Sequence, residues 1–435
     1  MYAEKVRNYL RDKHMYFEDI DFEECCTNFM EEMHRGLEGS ESSLRMIPTY
    51  IEGEGEIPVN TPVIAMDAGG TNFRVAVVVF NGERKPRIEK YSVYEMPGVA
   101  KRVGKSEFFD IIARYMDPVV NRSDRIGFCF SYPTEILPNR DGRLVFFSKE
   151  IKAAEVIGEL IGENLNATLS RGGRDDPKKI VLLNDTVATL LAGRAFCADR
   201  EYDGYIGYIL GTGNNCCYIE ENVNIRKKTE LDPGRGQIIN TESGNFSKSP
   251  RGMIDKVFDD STINPGDYSY EKMVSGAYFG GLCSACIGAA CNDGLLSDRF
   301  RGAYEKVGVL DTKGINDFMM NPGNNVNPLA RALKSGNADD GPIVYLLIDY
   351  MIWRAALLAA VPLASVMLKS GRGKDPCKPV CITAEGSVFY GLKSLRRRTE
   401  SFLEYFACRK NDLYFEVVEV ENAALIGAAI AGLLN

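Results

Sequence analysis

Residues 66–74, Met66-Asp67-Ala68-Gly69-Gly70-Thr71-Asn72-Phe73-Arg74, decide how the chain is read. To their left, Pro62-Val63-Ile64-Ala65-Met66 is a short apolar run that predicts a buried strand. To their right, residues 73–80 (FRVAVVVF) are rich in β-branched and aromatic side chains and predict a second strand. Between the strands lie an acid, two glycines and a hydroxyl. Gly69 and Gly70 permit a tight turn and let backbone N–H groups approach a ligand with no Cβ in the way. Such a turn can cradle phosphate oxygens, and Asp67 at the strand end can hold a hydrated Mg2+. The same residues also suit a plain β-hairpin, so the choice rests on the remainder of the chain.

A chain of 435 residues exceeds what one hydrophobic core usually supports, which predicts two domains. With 45% apolar, 26% charged and 10% aromatic residues, the composition is that of a globular protein. The net charge of −8 argues against broad nucleic-acid binding. Arg396-Arg397-Arg398, the one dense basic cluster, is flanked by Glu400 and Glu404 and predicts a solvated helix face. No apolar leader follows Met1, and the longest apolar stretch, residues 355–368, has 14 residues including Pro362. That is too short to span a bilayer and predicts a buried helix.

Twelve scattered cysteines suit buried thiols in a reduced, cytoplasmic setting better than a disulfide framework. Cys283-Ser284-Ala285-Cys286 has no second such pair, which argues against a structural metal. The only histidines are His14 and His34, so a general base is expected to be a carboxylate.

Residues 1–45 carry apolar side chains at helical spacing and predict two helices, the second ending near residues 36–39. Residues 53–61 form a Gly/Pro-punctuated connector and a domain boundary. Further strands are expected near residues 88–94, 126–130, 144–147, 180–183 and 205–210, and helices near 108–116, 187–195 and 422–434. Asn184-Asp185-Thr186 follows a buried strand, where α/β folds place ligand groups. On these residues alone Asp185 reads first as the cap of the helix that follows. Gly211-Thr212-Gly213-Asn214-Asn215 is a second glycine turn between strands. Two such units about 140 residues apart indicate a duplication at the level of the domain. In the final helix Ala423, Ala424, Gly427, Ala428, Ala431 and Gly432 predict close packing at a crossing between domains.

Asp67-x-Gly69-Gly70-Thr71-Asn72-Phe73-Arg74 resembles the first phosphate motif of sugar kinases in the actin and heat-shock ATPase superfamily, in the form found in hexokinases. Further segments resemble hexokinases across most of residues 26–435. Among them are Ser131-Tyr132-Pro133, Ser148-Lys149, Asn184-Asp185-Thr186, Asn240-Thr241-Glu242-Ser243-Gly244 and Thr383-Ala384-Glu385-Gly386-Ser387. The resemblance implies a two-domain, actin-like ATPase (ribonuclease H-like) α/β fold with an interdomain cleft. Its small domain would be residues 61–184 plus 421–435, and its large domain 1–60 plus 185–420.

The resemblance also implies that Mg-ATP lies between the two hairpins. The nucleotide would meet Asp67, Gly69, Gly70, Thr71, Asn72, Arg74, Gly211, Thr212, Gly213, Asn214, Gly386 and Ser387, with Asp67 holding Mg2+ through water. Hexose hydroxyls would fall to Ser131, Ser148, Lys149, Asn184, Asp185, Asn215 and Glu242. Asp185 would be the base that takes the proton from the 6-hydroxyl of glucose or a related hexose.

Some positions depart from the family. Gly281 stands where hexokinases have a sugar-contacting glutamate, and Glu150 where they have glycine. A kinase for mannose, fructose or an amino sugar is therefore the alternative. Glu385 replaces an aspartate, and Val420 and Asn422 replace glycines, which leaves the nucleotide preference open. A sugar sensor without turnover is a third possibility, countered by the joint presence of Asp67, Thr71, Asp185 and Thr212. The partners implied are a small hexose and ATP, with no nucleic acid and no membrane, on a monomer or homodimer.

Overall fold

The strands predicted on either side of Gly70 form, as Pro62–Gly69 and Asn72–Phe80, and their β-branched residues other than Val79 are buried because layers of helix cover the sheet they start. The computed structural model describes residues 1–147, 151–173, 177–196 and 200–435. In chain order the described strands are β1 (Ile47–Pro48), β2 (Pro62–Gly69), β3 (Asn72–Phe80), β4 (Pro86–Glu95), β5 (Arg125–Phe130), β6 (Thr134–Ile136) and β7 (Gly142–Leu144). They continue as β8 (Lys179–Leu183), β9 (Gly204–Leu210), β10 (Asn214–Glu221), β11 (Gly236–Asn240), β12 (Val380–Glu385) and β13 (Phe415–Val418).

Two sheets repeat one pattern. The first has the order β4-β3-β2-β5-β8, the second β11-β10-β9-β12-β13 with β1 added outside β11. In each, an antiparallel hairpin (β2–β3, β9–β10) carries the glycine turn. A third strand pairs antiparallel with the hairpin, and two further strands join in parallel. This common order is the duplication that the paired glycine turns predict.

A helix follows the last strand of each repeat, Asp185–Phe196 after β8 and Ala423–Leu434 after β13. The two meet with almost no side chain between them. A Cβ on Gly427 would lie 1.9 Å from the Ala188 carbonyl oxygen, and one on Gly127 of β5 would lie 1.6 Å from that of Ala428. Residues of both sheets, such as Ala65 and Val181 from the first and Cys217 and Cys381 from the second, share one apolar cluster with these helices.

The outer face of the second sheet is covered by the N-terminal helices Tyr2–Asp12 and Phe22–Glu38 and by the long helix Asp340–Ser370. Asp21 caps the second of these, accepting from Glu24 N–H at 3.0 Å, and Gly39 ends it at φ 82°. The long helix extends well before the expected apolar run, and its 31 residues are long and apolar enough to cross a membrane. The fold buries 89% of its most apolar window.

Two expectations change. The strand expected at residues 144–147 stops at Leu144, leaving Val145 and Phe146 exposed. Only part of the Arg396-Arg397-Arg398 cluster is a solvated face. Arg396 pairs with Glu400, but helical periodicity turns Arg398 inward, where it lies 4.4 Å over the Trp353 ring and donates to Asp349 at 2.6 Å. The described cysteines are all free thiols and most are buried, as expected.

The helix crossing makes a direct prediction. Gly127→Ala places a methyl against the Ala428 carbonyl and is expected to lower the unfolding free energy by at least about 1–3 kcal/mol. Urea unfolding measures this, and an unchanged midpoint would contradict the packing described.

Candidate active site

The first glycine turn is held by its carbonyls. Met96 N–H donates to the Thr71 oxygen at 2.8 Å, and the Tyr132 hydroxyl donates to the Gly70 oxygen at 2.8 Å. Gly70 takes φ 72°, which glycine adopts without steric penalty. The backbone N–H groups of Gly70 and Thr71 donate to no group among the described residues. Asn72 is exposed just beyond the turn. Asp67 is buried and opposite Arg74, which donates to its Oδ2 at 2.7 Å. Burial pushes the Asp67 carboxyl up in pKa against the pull of Arg74, and the charge of Asp185 adds to the rise.

The second turn is built in a similar way. Gly276 and Ala277 N–H donate to the oxygens of Gly211 (2.7 Å) and Thr212 (3.1 Å), and Gly211 N–H donates to Gly213 O at 3.0 Å. The N–H groups of Thr212 and Gly213 again have no partner among the described residues. Glu271 accepts from Asn214 N–H at 2.9 Å, while the buried Asn214 side chain turns toward Ser243. Burial, with the charge of Glu242, pushes Glu271 up to about 6. Gly386 presses on this turn. At φ 118° its hypothetical Cβ would lie 2.2 Å from Leu210 O, so only glycine fits, and Ser387 begins the next helix at the surface.

Asn184, not Asp185, caps the helix Asp185–Phe196, its Oδ1 accepting from Val187 N–H at 2.9 Å. Asp185 is the first helical residue, where the helix dipole favours negative charge. Its Oδ1 accepts from Thr186 N–H at 2.7 Å and from the Thr186 hydroxyl at 3.2 Å.

Ser131, Asn184, Asp185, Asn215 and Glu242 all line one cavity of about 470 Å³, within the usual size of a small-molecule site. Ser131 N–H continues the first sheet by donating to Ala68 O at 3.1 Å. Asn215 Nδ2 donates to Asn240 Oδ1 (2.7 Å) and Glu242 Oε1 (3.2 Å), and Asn240 Nδ2 donates to the same Glu242 oxygen at 2.8 Å. Burial raises the pKa of Glu242, opposed by Asn240 and Arg45. Ser148, Lys149 and Glu150 lie outside the described residues, but Val145 and Phe146 just before them line the same cavity.

Several residues were missed in the sequence. Asn240 is the first letter of Asn-x-Glu, but the resemblance gives it no role of its own. Tyr268 and Lys228 line the cavity with no local signal. Glu385, at the end of β12, is pushed up to about 7 by burial, then by the charges of Asp185 and Asp67. Gly281 does not line the cavity. The Phe258 ring stands 2.8 Å from where its Cβ would be.

Two duplicated α/β units, each offering a glycine turn with open N–H groups, meet beside a cavity with a carboxylate at a helix start. Fold and site together define a sugar kinase with the actin-like ATPase architecture. Known proteins agree. The hexokinase family models match residues 9–195 and 205–434. Hexokinase-5 of Oryza sativa subsp. japonica is 32% identical over 368 residues, covering 79% of this chain and 72% of that protein. Human hexokinase-2 is 28% identical over 409 residues, which cover 89% of this chain and 44% of the human protein. A structure of Schistosoma mansoni hexokinase complexed with glucose superposes with a TM-score of 0.76 at 27% identity, covering 99% of this chain and 98% of that one. The chain belongs to the hexokinase family.

Glu385 gives a pH prediction. Its folded pKa of about 7 lies above the ordinary carboxyl value, so its ionisation opposes folding. The penalty is absent below the ordinary value, grows as pH rises toward 7, and is complete above it. Glu385→Gln is therefore expected to raise the unfolding free energy of the ligand-free protein by about 1–3 kcal/mol at pH 8 and by little at pH 5. Urea titrations at the two pH values test this, and an equal gain at both would contradict it.

Proposed function

We propose that the chain transfers the γ-phosphoryl group of ATP, as its Mg2+ complex, to the 6-hydroxyl of glucose or a closely related hexose, with Asp185 as general base. One observation carries this assignment. Five of the seven residues expected to hold the sugar line one cavity, and that cavity is tied to both glycine turns. The ties are Tyr132, which lines the cavity and donates its hydroxyl to Gly70 O, and Asn215, which lines it directly after the second turn.

A sugar hydroxyl is a poor nucleophile until a positioned carboxylate accepts its proton. Asp185 borders the sugar cavity, and its charge also bears on Asp67 and Glu385. The open N–H groups of Gly70, Thr71, Thr212 and Gly213 would receive phosphate oxygens, with Arg74 alongside. Phosphoryl transfer needs little more than such positioning and charge stabilisation.

The residues present fit Mg2+. No group of three His, Cys, Asp or Glu able to hold a metal alone occurs among the described residues. Mg2+ is commonly held by one or two carboxylates, water and substrate phosphates. The charge of Asp185 opposes ionisation of Asp67 and Glu385, and that of Asp67 opposes ionisation of Glu385, which a nearby divalent cation relieves. Asp67 would hold the ion through water, and the ion would neutralise charge on the transferring group. Sugar binding would draw the two halves together and keep water from the phosphoryl group. The free thiols support a reducing, cytoplasmic location.

Gly281 favours a second reading, a different preferred hexose. Phe258 fills the space beside it, so this position offers the sugar no carboxylate.

A coupled ADP-release assay with Mg-ATP and a panel of sugars, run beside Asp185→Ala, tests both. Turnover on glucose is expected, with kcat lower by about 10²–10⁴-fold or more in the variant while sugar binding persists. Higher kcat/KM on mannose, fructose or an amino sugar would establish the second reading. Sugar binding without any turnover would make the protein a sensor, and full activity in Asp185→Ala would remove Asp185 as the base.

A further inference from the structure

Glu271 begins the short helix Glu271–Val274, does not line the sugar cavity, and is half-buried behind the second glycine turn. Its Oε2 accepts from Asn214 N–H at 2.9 Å. The same oxygen lies 2.8 Å from where a Cβ on Gly213 would be and 3.0 Å from where one on Gly244 would be. The carboxylate is therefore wedged between the second phosphate turn and the loop that carries Glu242. The residues after it continue the support. Ser275 N–H donates to Glu271 O at 2.9 Å, and Gly276 and Ala277 N–H donate to Gly211 and Thr212. Residues 271–277 thus hold the turn from behind at Gly211, Thr212 and Asn214, which leaves the N–H groups of Thr212 and Gly213 to a ligand.

We propose that Glu271 is a positioning residue for the nucleotide: its carboxylate sets the second glycine turn at the height and orientation that phosphate oxygens require. Gly213 and Gly244 are then glycines for a shared reason, since a methyl at either would collide with the bracing oxygen. Asn214 N–H would lose its acceptor without Glu271, and the turn would relax into the space left by the carboxylate. The sugar contacts depend on a separate set of bonds, those among Asn215, Asn240 and Glu242.

This inference rests on the nucleotide reading above, and steady-state kinetics of the full chain separates the two. Loss of a charge-assisted bond to the turn in Glu271→Ala is expected to raise KM for ATP by about tenfold or more, with KM for glucose changed by less than about threefold. Glu271→Gln keeps an acceptor of the same shape and should return KM for ATP to within about threefold of the parent. Gly213→Ala, which pushes on the same oxygen from the other side, should reproduce the rise while Glu271 remains. An unchanged KM for ATP in Glu271→Ala would overturn the proposal. So would a parallel rise in both KM values, or a Gln variant as impaired as Ala. A parent protein with no turnover on ATP and any sugar would overturn the nucleotide reading instead.

Discussion

The close crossing of the helices Asp185–Phe196 and Ala423–Leu434 is the constraint on which the rest of the structure depends. Each helix leaves the last strand of one of two sheets with the same strand order, and Gly427 lets their backbones meet at Ala188. Because the first helix begins at Asp185, the joint that unites the sheets also fixes a carboxylate beside the cavity. Gly127 and Gly432 extend the same contact into the first sheet. Bulk at any of these glycines would act at the joint and at the site together.

Around that joint, charge is arranged at some cost to stability. Asp67 and Glu385 are buried enough to resist ionisation, and each also feels Asp185. A fold selected for stability alone would not set three carboxylates within reach of one another's charge. The arrangement makes sense if a cation and a polyphosphate complete it, which is the proposed use of the site. The glycine turns supply the complementary partial positive charge through N–H groups that no acceptor among the described residues engages.

Much of this was legible in the sequence because the determining signals are local. Apolar runs bounded by glycine turns gave β2, β3, β9 and β10, and their paired recurrence gave the duplicated sheet. The small residues of the last helix announced a close crossing. Asn422 shows why a departure from the family pattern there is tolerated: it sits at φ 58°, a left-handed position that asparagine accepts nearly as well as glycine. What escaped the sequence depends on tertiary placement. Nothing near Glu271 marks it as a brace for a turn some 57 residues earlier. Nothing in Arg396-Arg397-Arg398 separates the surface Arg396 from Arg398, which Trp353 and Asp349 engage. The capping role went to Asn184 where Asp185 was equally eligible by residue type, because only the structure sets which side chain faces Val187 N–H.

The central claim is that two duplicated turns and one cavity form a single site for phosphoryl transfer to a sugar's primary hydroxyl. Phosphorus NMR of the purified chain incubated with Mg-ATP and glucose tests it most directly, because it identifies where the phosphoryl group goes. The account predicts a phosphomonoester resonance split by the C6 protons, growing in step with ADP. Inorganic phosphate alone, or ATP unchanged while glucose binds, would contradict it.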